Sequence, residues 1–206
     1  MDVIRLRVNL KHVEPKVMRS LLVPLNIQLQ DLHITLQTAF GWTNTHYYSF
    51  ETRRTSWIEP QLATGDNFLN QEYFVENYDL RDFLIITNAK QFLYIYDFGD
   101  YWEHVIHAGT IQKAKAGELY PKLTTVKGRC PPEDVGGPWG YEEFVEIMAD
   151  KNHVDYEEYA EWHLGEFDIN DTSEDLRRKS VEKVATLISK GESARGYFRY
   201  HPTDFP

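Results

Sequence analysis

KQFLYIYDFGDYWEHVIHAGTI, residues 90–111, holds two runs of aromatic and β-branched residues around Phe98-Gly99-Asp100-Tyr101. That composition on both sides of a Gly-Asp pair predicts a β-hairpin. With Gly99 and Asp100 as a two-residue turn, Phe98 faces Tyr101, Asp97 faces Trp102, Tyr96 faces Glu103 and Ile95 faces His104. The strand period of two then puts Leu93, Ile95, Asp97, Trp102, His104 and Ile106 on one face. Phe92, Tyr94, Tyr96, Glu103, Val105 and His107 fall on the other. Both faces are substantially apolar, which predicts a central hairpin covered on both sides. Asp97 and His104 then lie close to diagonal, a proximity that a register slip of one residue removes.

Working outward, Val3 to Leu10 alternates Ile4, Leu6, Val8 and Leu10 with polar residues, the pattern of a half-buried strand. Ser20 to Val23 is a short apolar run closed by Pro24. Leu29 to Phe40 predicts a helix burying Leu32, Leu36, Ala39 and Phe40, with Gly41 as its C-cap. His33, next to Leu32, is expected to be partly exposed. His46 to Thr52 reads as a strand with His46, Tyr48 and Phe50 on one side. Arg53 to Tyr78 predicts a long loop with one short strand near Ser56 to Ile58, and Tyr78 to Leu84 a short helix. Pro121 suits the segment up to Val126 to an edge strand. Lys127 to Phe144, KGRCPPEDVGGPWGYEEF, is an ordered loop leading into a helix over Gly140 to Met148. Further helices are predicted over Asp155 to Leu164 and from about Asp171 to Lys190. The aromatic tail, with Tyr197, Phe198, Tyr200 and Phe205, is expected to lie across the body or to contact a partner. The fold class is α+β: a mixed, largely antiparallel sheet with a central hairpin, packed by an N-terminal helix and C-terminal helices. One domain is expected over 1–206, with 1–126 forming the sheet and 141–190 a helical cap.

Asp plus Glu number 32 against 22 Lys plus Arg, a formal charge of -10, which disfavours nucleic-acid binding over the whole surface. The best local basic concentration is Arg5, Arg7, Lys11, Lys16 and Arg19. One cysteine excludes a disulfide framework and an all-cysteine zinc site within the chain. No apolar run reaches transmembrane length, and the start lacks a signal stretch, so a cytoplasmic protein is expected.

The strongest polar constellation is Asp97, Asp100 and His104, with His46, His107 and the loop carrying Cys130, Glu133 and Asp134 as possible recruits, and with Trp102 and Glu103 as part of the same signature. A carboxylate can orient an imidazole, and Asp with His can hold a divalent metal; His46, Asp97, Asp100 and His104 are the candidate ligands. The plainer alternatives are a capping role for Asp97, a turn role for Asp100 and a satisfied core position for His104. Cys130 lacks a local base to activate it as a nucleophile. Gly136-Gly137-Pro138-Trp139-Gly140 precedes a helix but lacks the Lys-Ser/Thr ending of a phosphate loop.

These stretches together resemble the plasmid pRiA4b open-reading-frame-three-like family of mobile-element-associated prokaryotic proteins of unknown function. The resemblance rests on Glu14-Pro15, Leu21-Leu22-Val23-Pro24, Gly41-Trp42-Thr43-Asn44 with His46, Tyr96 to Asp100, Trp102-Glu103-His104 and Cys130 to Asp134 with Gly136-Gly137-Pro138. It implies a compact α+β domain and carries no biochemical activity. Relatives often have His at the position of Tyr48 and a second Cys at that of Val135, which thins any metal-ligand set here. Three functions therefore stand side by side, with the balance leaning away from an enzyme. The first is a binding or interaction module for a protein or small ligand, as a monomer or weak homodimer. The others are a metal-dependent hydrolase or phosphoesterase and a nucleic-acid accessory protein of mobile elements. No cofactor is predicted apart from a divalent metal.

Overall fold

The computed structural model describes residues 1–62 and 71–200. In chain order the strands are β1 (Asp2–Leu10), β2 (Met18–Pro24), β3 (Tyr48–Glu51), β4 (Thr55–Ile58), β5 (Gln71–Phe74), β6 (Gln91–Tyr96), β7 (Trp102–Lys113) and β8 (Lys122–Lys127). The helices are α1 (Leu29–Phe40), α2 (Leu80–Thr87), α3 (Gly137–Ala149), α4 (Tyr156–Trp162), α5 (Glu174–Ser189) and α6 (Ala194–Tyr200). The strands form one open sheet in the order β5-β4-β3-β6-β7-β1-β2-β8. Only the β4–β5 pair is parallel, so the class is α+β with a mixed, mostly antiparallel sheet.

The hairpin is central, but its register differs from the expected one. Tyr96 lies opposite Trp102, Tyr94 opposite His104 and Phe92 opposite Ile106. The connection is the five residues 97–101, because Asp97 leaves the strand to build it. Asp97 takes a left-handed φ of 57°, its Oδ1 accepts from Gly99 N at 2.9 Å, and its carbonyl accepts from Tyr101 N. Asp tolerates that conformation because its short side chain bonds the backbone two residues on.

The slip regroups the faces. Phe92, Tyr94, Tyr96, Trp102, His104 and Ile106 share one buried face, which Leu6, Val8, Leu21, Phe50 and Trp57 extend across the sheet. On the other face Ile95 is buried, but Leu93, Glu103, Val105 and His107 are only partly covered. The expected two-sided cover is therefore complete on one side only, as antiparallel sheets allow. Leu29, Leu32 and Leu36 bring α1 into the same core; α5 packs on α1 and β8, and α6 on α1.

α1 ends where predicted, at Gly41, whose φ of 96° suits glycine. α3 starts three residues before the expected Gly140, with Pro138 in its first turn, where a fixed φ favours helix. The sequence reading omitted β5 and α6. Residues 63–70 of the long loop and 201–206 of the tail, with Phe205, lie outside the described residues.

Arg19 sits on the buried face and is fully buried, not part of a basic surface stripe. Its Nε donates to Ala39 O at 2.7 Å and its Nη1 to the carbonyls of Met18, Lys127 and Gly128, while the guanidinium lies 5.0 Å from the Phe40 ring centroid. Burial lowers its pKa to about 10, which still leaves it charged at neutral pH. One side chain thus joins the end of α1 to β2 and to the end of β8. Arg19→Met keeps the apolar stem and removes every donor. It is expected to lose about 3 kcal/mol of stability in urea unfolding; a wild-type midpoint would show that the bonds contribute nothing net.

Candidate functional site at the junction of three loops

Three loops converge at one end of the buried face: residues 41–47 after α1, 97–101 in the hairpin and 130–136 before α3. The Trp42 indole donates to Pro131 O at 3.0 Å. The Glu133 carboxylate accepts from Thr43 N at 2.8 Å, from the Thr43 and Tyr96 hydroxyls, and from Thr45 Oγ1 at 3.4 Å. Asp100 Oδ2 accepts from Gly136 N at 3.2 Å. Gly137 passes so close to the hairpin that a Cβ would stand 2.6 Å from Asp100 O, and its φ of 71° also demands glycine. Glu133 and Asp100 Oδ2 thus help hold the third loop in place.

That anchoring brings Asp134 to His46 and Asp97. His46 Nε2 is 2.9 Å from Asp134 Oδ1, and Nδ1 is 3.6 Å from Asp97 Oδ1. One donor atom from each residue lies within 4.8 Å of the other two. The short Nε2–Asp134 approach lacks hydrogen-bond direction, so Nε2 is enclosed yet unpartnered in that sense. Of the predicted metal ligands, the structure brings His46 and Asp97 together and leaves Asp100 and His104 elsewhere. His46 also lines a cavity of about 480 Å³ with Thr43, Asn44, Thr45, Glu59 and Arg195.

His104 is fully buried against Phe40 and Trp42. Its Nδ1 stands 3.2 Å from Tyr94 O and 3.1 Å from Trp102 O, two acceptors that assign the proton to Nδ1. Trp102 is a buried neighbour of Trp42, 5.9 Å between ring centroids. Glu103 pairs with Lys11 on the opposite face. Cys130 is an inert thiol at neutral pH, since burial pushes it up to about 12.

His33 corrects the expectation of exposure: it is 1% exposed and closes a ring of hydrogen bonds. Gln37 Nε2 donates to the Tyr94 hydroxyl, which donates to His33 Nδ1; His33 Nε2 donates to Asn44 Oδ1, and Asn44 N donates to Gln37 Oε1. Tyr48 stacks on the imidazole at 3.5 Å. Only Asn44 of these partners falls in a recognised motif, so spacing along the chain gave no warning of the ring. Trp139 was also missed as a surface feature, although a Trp among glycines and a proline has no apolar neighbours to bury it.

The fold and junction define a class: an α+β protein with an eight-stranded mixed sheet and a loop-built polar site at one end, in which no described helix is long and apolar enough to cross a membrane. The chain belongs to the plasmid pRiA4b ORF-3-like protein family, whose profile matches residues 2–175. It is 42% identical over 186 residues to the uncharacterized protein y4hQ of Sinorhizobium fredii (strain NBRC 101917 / NGR234), covering 89% of this chain and 93% of that one. It is also similar to the crystal structure of MM3350, a protein of unknown function from Methanosarcina mazei Go1. That match has a TM-score of 0.68 and 33% identity over 82% of this chain and 93% of the other.

Burial lowers the pKa of both His33 and His104 to about 3. In the unfolded chain each takes up a proton near pH 6.5. The unfolded state therefore binds more protons between about pH 6.5 and 3, and stability falls as pH drops through that window, by up to about 1.4 kcal/mol per unit for each histidine. His104→Gln is expected to remove one histidine's share of the slope of unfolding free energy against pH, whatever it does to stability at pH 7. An unchanged slope would mean that His104 is protonated in the fold.

Proposed function

We propose that the chain is a binding module and that it takes a basic segment of a partner polypeptide in the cleft between the hairpin turn and the start of α3. The cleft is about 640 Å³, lined by Tyr101 and Trp139 with the carboxylates of Asp100, Glu103 and Glu142. The observation that carries the reading is Trp139, 82% exposed on the first turn of α3 beside the half-exposed Tyr101. An indole left in water is unfavourable for the free protein and useful to a partner, because it offers large apolar area at little entropic cost.

The carboxylates fix the sign of that partner. A Lys or Arg side chain lays its apolar stem on aromatic rings and its charge against carboxylates or a ring face. Glu103 already pairs with one such cation, Lys11. The formal charge of -10 draws basic partners by long-range attraction. The cations near the N-terminus support a nucleic-acid reading less well, since Arg19 is buried and Arg5 bonds Ser20 and Thr124.

The test is an array of nine-residue peptides of random composition, probed with the full chain and with Trp139→Ala. Bound peptides are expected to be enriched in Lys and Arg, and the variant to bind them about tenfold or more weakly. No bound peptides, no basic enrichment, or full retention by Trp139→Ala would each overturn the reading.

A further inference from the structure

We propose that His46, Asp97 and Asp134 bind a single divalent first-row transition cation, with zinc as its type. The donor types select the ion: imidazole with carboxylates suits zinc, cobalt or manganese, whereas magnesium and calcium prefer oxygen alone. Donors about 2.0–2.2 Å from a tetrahedral zinc stand about 3.4 Å apart. The three side chains already offer donor atoms within 4.8 Å of one another, so small rotations close the set.

His46 gives the second, independent observation. Its Nε2 is enclosed and has no hydrogen-bond partner among the described residues, though a carboxylate oxygen lies 2.9 Å away. A buried ring nitrogen that faces an acceptor without bonding it is an exception that calls for an explanation. Each imidazole nitrogen faces one carboxylate, Nε2 that of Asp134 and Nδ1 that of Asp97. A dication bound between them neutralises both carboxylates and uses the nitrogen as a ligand.

The donors are held from behind. Asp97 is 7% exposed, and its N–H donates to Tyr47 O at 2.9 Å. Thr45 N donates to the Tyr96 hydroxyl at 3.1 Å, fixing the residue before His46, and the same hydroxyl donates to Glu133, the residue before Asp134. Such outer support orients ligands before the ion arrives. The Asp134 side chain is 66% exposed, which leaves a path for the ion and a fourth position for water or a ligand oxygen.

The experiment is calorimetric titration of the chelator-treated full chain with Zn²⁺, alongside the absorption spectrum of its Co²⁺ complex. Asp134→Asn suits the test because Asn tolerates the φ of 58° at that position and the side chain is exposed. One ion per chain is expected, weakened about tenfold or more in Asp134→Asn and in His46→Ala. His153→Ala, altering a half-exposed histidine that pairs with Asp155 away from the cluster, is expected to bind as the parent does. Trp139→Ala is also expected to keep the metal, so failure of the cleft and failure of the metal site read out separately. No uptake, or uptake with unchanged affinity in Asp134→Asn whose urea midpoint matches the parent, would overturn the proposal.

Discussion

The closed ring of hydrogen bonds through Gln37, Tyr94, His33 and Asn44 fixes how α1, the loop after it and the central strand β6 meet. Each polar group sits in or beside the aromatic core, where an unpaired donor or acceptor costs about 1–3 kcal/mol. The ring answers that cost for four residues at once, and any shift of α1 along the sheet breaks it. The loop 41–47 therefore leaves α1 in one direction only. From there Thr43 and Thr45 meet Glu133, and the third loop is drawn in. The junction follows from satisfying buried polar atoms.

Several elements were legible because one local signal decided them. β1 shows strict alternation, and α1 combines a helical apolar face with a glycine at its end. The edge position of β8 follows Pro121, whereas α2 runs three residues past the expected Leu84 to the left-handed Asn88. The hairpin's presence was equally plain, since two aromatic runs flanking a glycine leave few alternatives. Its register was not. The two-residue turn and the five-residue turn use the same residues, and the choice rests on Asp97 bonding Gly99 N. No period along the strand reports that bond. His33 was misplaced for a related reason: its partner Tyr94 is 61 residues away, so a polar residue beside Leu32 looked like surface.

The candidate site was half legible. His46 and Asp97 were named as ligands, and Asp134 only as a recruit on an adjacent loop. What separates Asp134 from its neighbour is direction. Glu133 turns inward to Thr43 and Tyr96, while the left-handed backbone at Asp134 sends the next carboxylate toward His46. Two adjacent acids look alike in a sequence, but here one is spent on folding and the other is free to face solvent.

The same division of labour applies to the aspartates of the hairpin, and it follows from the slip. Had Asp97 stayed in the strand opposite Trp102, its carboxylate would have entered the aromatic face, where burying a charge beside the neutral His104 carries a penalty of several kcal/mol. In the turn the carboxylate is still buried but accepts from the Gly99 amide. Its oxygen then caps Gly99 on one side and lies near His46 on the other, while Asp100 takes the opposite side and holds Gly136. The turn thus has two flanks, one toward the histidine cluster and one toward Trp139. An aspartate taken out of the strand to build the turn is what separates them.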